Sequence, residues 1–344
     1  MNTMKIAGII AEYNPFHRGH QYHIDQTRAA GATHIVAVMS GNVVQRGETA
    51  LLDKHYRARK AVENGADLVI ELPCPFSCAS AEVFALAAVQ ILNALGAGTV
   101  EQLSFGAETA DIETLENAAR AASALRDSEM VRNFLTAGNS YPAALSKTVA
   151  IAYSERLAEV FLSPNNTLAI EYIKALEATD SHMVPHAVAR AGARHDAEQP
   201  QDGFASASAV RALVRAGESA DAWLPYSLSD YAGAYGDFRK LDKVILWKLV
   251  SMTREALAAV PDCPRELADR LYDAVQRDFP PTAAALAESC KSKNITLARI
   301  RRVMLFAVLG IKRRTFACPP IAACWRSTSA GVKSYRLQRK TTPH

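Results

Sequence analysis

Over the first third of the chain, short apolar runs alternate with longer stretches of helical pattern. Residues 6–11 form an apolar run that breaks at Asn14-Pro15, where the proline turns its neighbour away from helix. Residues 34–39, 68–72 and 100–105 are three more such runs, the second closed by Pro73 and the third by Gly106. Between them, residues 19–30, 54–64 and the Ala-rich 79–95 read as helices, the last two closed by Gly65 and Gly96. Strands and helices alternating at this spacing predict a parallel sheet with right-handed crossovers. After Asp111 the strand signal fades. Helical patterns carry the chain to about Arg156, a further α/β piece spans residues 160–190, and residues 239–309 read as all helical. The expected fold class is α/β: a Rossmann-like parallel sheet in residues 1–235, a helical C-terminal domain in 236–311, and an atypical tail in 312–344.

Ligands of such sheets bind beyond the carboxyl ends of the strands. The loops there hold the unusual polar residues: Glu12 to His20 after the first strand, Ser40-Gly41-Asn42 after the second, Glu71, and Gly106-Ala107-Glu108.

Composition narrows the class. With 344 residues, 49% hydrophobic and 22% charged, the chain can build one large core or two ordinary ones, which excludes disorder and low-complexity architectures. No apolar run approaches the roughly 18 residues of a membrane span, and the N-terminal run meets Glu12 too early for a signal-peptide core. A cytosolic protein is expected. The cysteines, Cys74, Cys78, Cys263, Cys290, Cys318 and Cys324, show no C-x2-C pairing and read as reduced thiols, with no metal site. The net charge of +4 is misleading, because Lys312, Arg313, Arg314, Arg326, Lys333, Arg336, Arg339 and Lys340 sit in a tail without acidic residues. The body before it is mildly acidic, so global charge does not argue for RNA. The tail has no hydrophobic period after Arg314 and reads as poorly ordered, or as a stretch whose reading frame has departed from its ancestor.

The sharpest chemical signal is His17-Arg18-Gly19-His20, just after the first strand and opening the first helix. Two imidazoles at a helix start, with a glycine between them, suit a highly charged anion; the competing reading is a pair of capping or core histidines. A second signal is Phe204-Ala205-Ser206-Ala207-Ser208-Ala209-Val210-Arg211, where hydroxyls and a guanidinium at a helix start form a phosphate cradle or an ordinary serine cap. Gly-x-x-x-x-Gly-Lys is absent, which argues against a Walker-type NTPase. The H-x-G-H arrangement and the serine-rich start resemble, in the right chain order, the two phosphate-binding motifs of the nucleotidyltransferase and class I aminoacyl-tRNA synthetase superfamily.

The resemblance extends further. Glu12 to His20, Met39-Ser40-Gly41-Asn42 with Gln45-Arg46-Gly47-Glu48, Asn64 to Pro73, Ser104 to Glu108, Ser163 to Tyr172 and Phe204 to Ser208 together are similar to the bacterial tRNA(Met) cytidine acetate ligase family, from Met4 to about Gly310. The resemblance implies that ATP and acetate form acetyl-adenylate, which then acetylates N4 of the wobble cytidine, position 34, of elongator tRNA(Met), releasing AMP and pyrophosphate. It implies His17 and His20 as catalytic residues. ATP contacts are implied at Ile10, Ala11, Glu12, Tyr13, Asn14, Pro15, Phe16, His17, Arg18, Gly19, His20, Gln21, Tyr22, His23, Gly106, Asn165 and Arg190, with Asn166 offering the same chemistry as Asn165. Ser206, Ser208, Arg211 and Lys54 are further phosphate-binding candidates, with magnesium expected to accompany ATP.

Asn42, Gln45 and Arg46 are either ligand contacts or turn and surface residues. His34, His55 and His195 have no partner at ligand spacing, and Arg194 competes with Arg190. Lys291, Lys293, Arg299, Arg301 and Arg302 cluster at a helix start and are the candidate tRNA contacts, against the alternative of a solvated helix face. The family favours Lys-Arg-Tyr-Thr where this chain has Lys293-Asn294-Ile295-Thr296, and the tail beyond Lys312 does not resemble the family, so weakened tRNA contact is expected. No membrane and no stable protein partner is implied. Two other readings compete: an adenylyltransferase for another small acid or a phosphorylated metabolite, and a catalytically weak nucleotide- or RNA-binding regulator.

Overall fold

The computed structural model describes residues 4–190 and 204–317, and the backbone of 324–327. Strand β1 (Ile6–Ala11) leads into helix α1 (Arg18–Ala29) and strand β2 (His34–Ser40). A two-rung hairpin, β3 (Val43–Val44) with β4 (Glu48–Thr49), precedes α2 (Lys54–Glu63), β5 (Leu68–Leu72), α3 (Ala81–Asn93) and β6 (Gln102–Ala107). Four helices follow, α4 (Ile112–Leu125), α5 (Glu129–Thr136), α6 (Tyr141–Ala152) and α7 (Glu155–Glu159), then α8 (Pro164–Ala178) and β7 (Val184–Ala189). Helix α9 (Ala207–Ala216) leads to a helical region of α10 (Asp242–Val250), α11 (Arg254–Ala258), α12 (Arg265–Asp273), α13 (Ala283–Cys290) and α14 (Leu297–Leu309), and β8 (Cys324–Ser327) ends the described chain.

The sheet runs β7-β6-β1-β2-β5-β8, parallel except for β8. The first apolar runs lack alternation because both faces are covered. Ala7 and Ile9 of β1 pack with Ile35, Ala37, Met39 and Val69 on one face, while Ile6 and Ile10 pack with Val36, Val38, Leu68 and Ile70 on the other. From β1 the chain adds β2 and β5 on one side, then crosses to place β6 and β7 on the other. The reversal lies between β1 and β6. It opens a crevice at their carboxyl ends, the topological position where doubly wound sheets bind ligands.

The helical region has its own apolar cluster, including Ile245, Leu249, Leu267, Leu271, Leu286, Ile300, Val303 and Phe306. Cys78 and Val43 join that cluster from the α/β side, so the two parts share packed surface. Cys74, Cys78, Cys263 and Cys290 are free thiols, and Cys74 and Cys78 lie 3.9 Å apart at sulfur. No helix of the described residues is long and apolar enough to cross a membrane.

Two elements differ from the sequence reading. Strand β6 runs through Gly106, which pairs with Val188 and does not stop the strand. Of the tail, read as poorly ordered beyond Arg314, only the part to Ala317 and the backbone of 324–327 are among the described residues; Arg313–Ala317 form a 3-10 turn whose Phe316 packs edge-on against Phe76 and Phe306. Its β8 then pairs antiparallel with β5, whose outer edge would otherwise present unpaired backbone groups. These contacts are long-range and leave no local period to read.

The β3–β4 turn is set against α14. At Gly47, φ is +73°, and an added Cβ would lie 2.6 Å from the Arg302 backbone nitrogen. Gly98 has nearly the same φ, +71°, but faces open space. A Gly98→Ala change therefore carries only the left-handed backbone cost, about 1–2 kcal/mol. Gly47→Ala adds a collision with helix backbone and should lose at least about 1–2 kcal/mol more, within the range for overpacking. Denaturant midpoints of the two variants measure the difference; equal losses would show that the turn does not bear on α14.

Candidate active site

A cleft of about 670 Å³ opens at the carboxyl ends of β1 and β6. Its floor is the segment from Ile10 to His23. Asn14 is buried and its side-chain oxygen accepts from Leu51 N–H (2.7 Å), while its carbonyl accepts from Arg211 (2.8 Å). Tyr226 O–H donates to the Phe16 carbonyl (2.9 Å), and Arg18 Nε to that of Ala222 (2.9 Å). Arg57 is fully buried and donates to the carbonyls of Glu12 (2.6 Å), Ser40 (3.1 Å), Leu52 (3.0 Å) and Gly41. Burial lowers its pKa to about 10, well above neutrality. Tyr13 adopts φ of 45°, a disfavoured region for a bulky residue, and its ring packs edge-on to Phe16 and His20, each at 4.9 Å.

His17 is the N-cap of α1. Its Nδ1 accepts from Gly19 N–H (3.0 Å), and its own N–H donates to His20 Nδ1 (3.2 Å), a capping box built from imidazoles stacked at 3.8 Å. Burial, with Arg190 and Arg211 nearby, lowers the His17 pKa to about 3. Burial, then the neighbouring His17, His23 and Arg190, holds His20 well below its usual value. Both rings are therefore neutral near pH 7. A neutral imidazole whose Nδ1 accepts carries its single hydrogen on Nε2, so each ring offers an Nε2–H donor. The capping and ligand-facing readings of these histidines are compatible: both rings line the cleft.

Three other segments complete the walls. Ser206 caps α9 by accepting from Ala209 N–H (3.1 Å), and Arg211 donates to Ser208 Oγ (3.1 Å). Burial lowers the Arg211 and Arg190 pKa values. At α8, Glu108 accepts from Asn165 Nδ2 (2.6 Å) and Asn166 N–H (3.1 Å), supplying the side-chain cap that Ser163 does not. Asn165 faces the cleft, whereas Asn166 is buried behind it with its oxygen accepting from Thr109 N–H (2.9 Å).

Of the residues singled out in the sequence, Ile10, Ala11, Glu12, Tyr13, Asn14, His17, Gly19, His20, Tyr22, His23, Gly106, Asn165, Arg190, Ser206, Ser208 and Arg211 line one cleft. Gln45 and Arg46 join them. Pro15 and Phe16 are buried beneath the loop, Arg18 is exposed, and neither these nor Gln21 lines the cleft. Lys54 is also outside the lining and forms an ion pair with Glu71 (3.2 Å); Asn42 Oδ1 accepts from Lys54 N–H. His34 pairs with Thr33 Oγ1, while Arg194 and His195 lie outside the described residues. Among the described residues, no group of three His, Cys, Asp or Glu side chains is arranged to hold a metal.

The five basic residues proposed for RNA divide sharply. Arg299 and Arg302 pair with Asp262 at 2.9 and 2.7 Å, Arg302 being buried, and Arg301 pairs with Glu48. These three ion pairs tie α14 to the rest of the fold. Lys291 and Lys293 are exposed, Lys291 with Glu288 at 4.0 Å. The substituted Asn294 and Ile295 serve packing: Asn294 donates to the Leu135 carbonyl (3.2 Å) and Ile295 is buried. Sequence reasoning missed an apolar wall of Phe84, Phe105, Phe161, Leu162, Leu168 and Tyr172, and the approach of Thr296, Ala298 and Arg302 from α14. Neither has a local signature.

Comparison with known proteins gives a consistent picture. The family model described as HIGH Nucleotidyl Transferase matches residues 4–319. The tRNA(Met) cytidine acetate ligase of Syntrophotalea carbinolica is 39% identical over 321 residues, covering 90% of this chain and 75% of that protein. Its counterpart in Acetivibrio thermocellus is 34% identical over 328 residues, covering 90% and 78%. The crystal structure of Thermotoga maritima TmcAL bound with alpha-thio ATP superposes with a TM-score of 0.86 at 28% identity, over 98% of this chain and 84% of that one. The apo form of the same protein gives 0.88. With its H-x-G-H helix start in the crevice between β1 and β6, the chain belongs to the HIGH nucleotidyl transferases and, among them, to the tRNA(Met) cytidine acetate ligase family.

Proposed function

We propose that this chain joins acetate to N4 of the wobble cytidine of elongator tRNA(Met) at the expense of ATP. The observation that carries the reading is the convergence of two Nε2–H imidazole donors and the Ser206–Arg211 helix start on one cleft. Together they offer preorganised donors to a polyphosphate, without reorganisation at the moment of reaction. The relatives' name, tRNA(Met) cytidine acetate ligase, supports acetate and tRNA(Met), and the neighbour's bound alpha-thio ATP supports ATP.

In the first step an acetate oxygen attacks the α-phosphorus, and the bond to pyrophosphate breaks. His17 and His20 donate to phosphate oxygens as their charge redistributes, aided by Ser206, Ser208 and Arg211. Gly106, Asn165 and Arg190 hold the nucleoside end. In the second step the cytidine amino nitrogen attacks the acetyl carbonyl, AMP leaves, and the nitrogen gives up a proton to solvent. No covalent enzyme intermediate is required. Magnesium would accompany the nucleotide and neutralise part of its phosphate charge. Residues 1–235 carry the chemistry, and Lys291 and Lys293 in the helical part, 236–311, contact tRNA phosphates.

Purified protein incubated with labelled acetate, ATP, magnesium and an elongator tRNA(Met) transcript should yield acetylcytidine at the anticodon. Turnover with a different acid, and none with acetate, would sink this reading. The His17→Asn variant separates chemistry from folding, because asparagine caps helices well but lacks the Nε2–H donor. Pyrophosphate release with acetate should fall about 10²-fold or more, as for loss of one preorganised donor. Stability should change by no more than about 1 kcal/mol.

The depressed histidines also set a pH dependence. Unfolded, each binds a proton near pH 6.5; folded, His17 does so only near pH 3 and His23 near pH 4. The unfolded chain thus holds more protons across this window, so stability is full above about pH 6.5 and falls as pH drops toward 3 to 4. Melting temperatures from pH 7 to 4 should decline, with a shallower decline in His17→Asn. A flat profile in both would show that these rings are not neutralised by the fold.

A further inference from the structure

His17, His20 and His23 recur every three residues along α1, and all three line the cleft. The first two present Nε2–H donors. His23 is wired the other way. Thr27 Oγ1 has one hydrogen and gives it to the His23 carbonyl (2.8 Å). Ser104 Oγ lies 2.7 Å from Thr27 Oγ1, so the hydrogen between them is the serine's. Ser104 then has only lone pairs for His23 Nε2, at 2.9 Å, and Nε2 must carry the imidazole hydrogen. Both hydroxyls are fully buried, so water does not compete for the relay. The ring is neutral: burial, with His186 and Arg190 nearby, lowers its pKa to about 4. Its Nδ1 is consequently a bare acceptor, and among the described residues no donor reaches it.

Position tells which part of a ligand meets that acceptor. His23 lies two turns into α1 from the cap and packs on Ser104 of β6, whose partner in β7 is His186, deeper in the crevice than the strand ends. Arg211, with Ser206 at the same helix start, reaches the Asn14 end of the loop beside His17, while Arg190 lies near all three rings. Phosphates, which have only acceptors, fit the His17 and His20 donors. A nucleoside, which carries hydroxyl donors, fits His23.

We propose that His23 Nδ1 accepts a hydrogen bond from a ribose hydroxyl of the bound nucleotide, with Ser104 and Thr27 as positioning residues that hold the ring in its acceptor tautomer. The inference rests on the ATP reading above and adds a source of selectivity for ribonucleotides. A ligand lacking that hydroxyl would leave a desolvated acceptor unpaired, the situation in which binding sites discriminate most strongly.

Equilibrium binding of ATP, 2′-deoxy-ATP, 3′-deoxy-ATP and purine riboside triphosphate, which lacks the adenine amino group, tests this in the wild type, His23→Leu, His23→Asn and Ser104→Ala. Wild type should bind one deoxy analogue about tenfold more weakly than ATP. The penalty should shrink to about twofold or less in His23→Leu, which has no acceptor, and persist in His23→Asn, whose amide oxygen replaces Nδ1. In Ser104→Ala the penalty should shrink while ATP still binds. Nitrogen NMR of the histidine-labelled wild type should show His23 protonated on Nε2 and bare on Nδ1, a readout independent of how the variants fold. A deoxy penalty that His23→Leu leaves untouched, a protonated Nδ1, or a His23-dependent penalty found only with purine riboside triphosphate would each overturn the proposal. Failure of the wild type to bind ATP at all would instead bring down the ATP reading beneath it.

Discussion

The site depends on one buried cation. Strands β1 and β2 end side by side, and the chain leaving each must turn without sheet or helix to satisfy its carbonyls. Arg57, from α2, collects the carbonyls of Glu12, Ser40, Gly41 and Leu52 with one planar guanidinium. A lysine would present a point charge with fewer and less directed donors. Burial weakens the charge only to a pKa near 10, so the cation persists, neutralised by carbonyl dipoles and by the nearby Glu12 and Asp53 carboxylates. The irregular loop it fixes is the floor of the cleft. Where that loop goes, the cap of α1 goes, and with it the direction of both H-x-G-H imidazoles.

This explains how histidines read as anion ligands can be neutral and still suited to the task. Their Nδ1 atoms are occupied by backbone N–H groups, so the fold chooses the tautomer before any ligand arrives. A neutral donor of fixed direction loses less solvation than a buried imidazolium and does not repel the nearby Arg190 and Arg211. At His23 the tautomer is the same, but there Nε2–H meets the hydroxyl relay of β6 and α1 and Nδ1 is the nitrogen left open. One helix face thus carries two donors followed by an acceptor.

Much of this was legible in the sequence because it is local. Apolar runs without alternation signal strands covered on both faces, and the prolines after two of them, Pro15 and Pro73, mark the strand ends beside Glu12 and Glu71, whereas Gly106 lies inside β6. The H-x-G-H segment is read directly, since a cap and its third residue are adjacent in sequence. The ion pairs of Arg299, Arg301 and Arg302 were not legible, because a row of arginines looks the same whether it faces solvent or carboxylates elsewhere in the chain; Glu48 is more than two hundred residues upstream, and Asp262 lies in the turn between α11 and α12. The apolar wall failed for the same reason. Phe84, Phe105, Phe161 and Tyr172 are ordinary core residues of four separate elements, and only the crossover at β1 and β6 brings them to one surface.

The short β3–β4 turn has the most consequential placement that local pattern could not supply. Gln45 N–H donates to Glu12 Oε1 (2.8 Å), which binds the turn to the end of β1. Glu48 binds Arg301, and Gly47 lets the turn lie directly on the backbone of α14. Gln45 and Arg46 then face the cleft from the same four residues. The helical part therefore reaches the cleft in two ways, directly through Thr296, Ala298 and Arg302, and through a turn it shares with the H-x-G-H loop. Any displacement of α14 must move the turn or break the Arg301 pair, because packed backbone has no soft coordinate to absorb it. Exposed Lys291 and Lys293 sit at the approach to that same helix. A polyanion drawn to them would be held against the element whose position the nucleotide cleft already depends on.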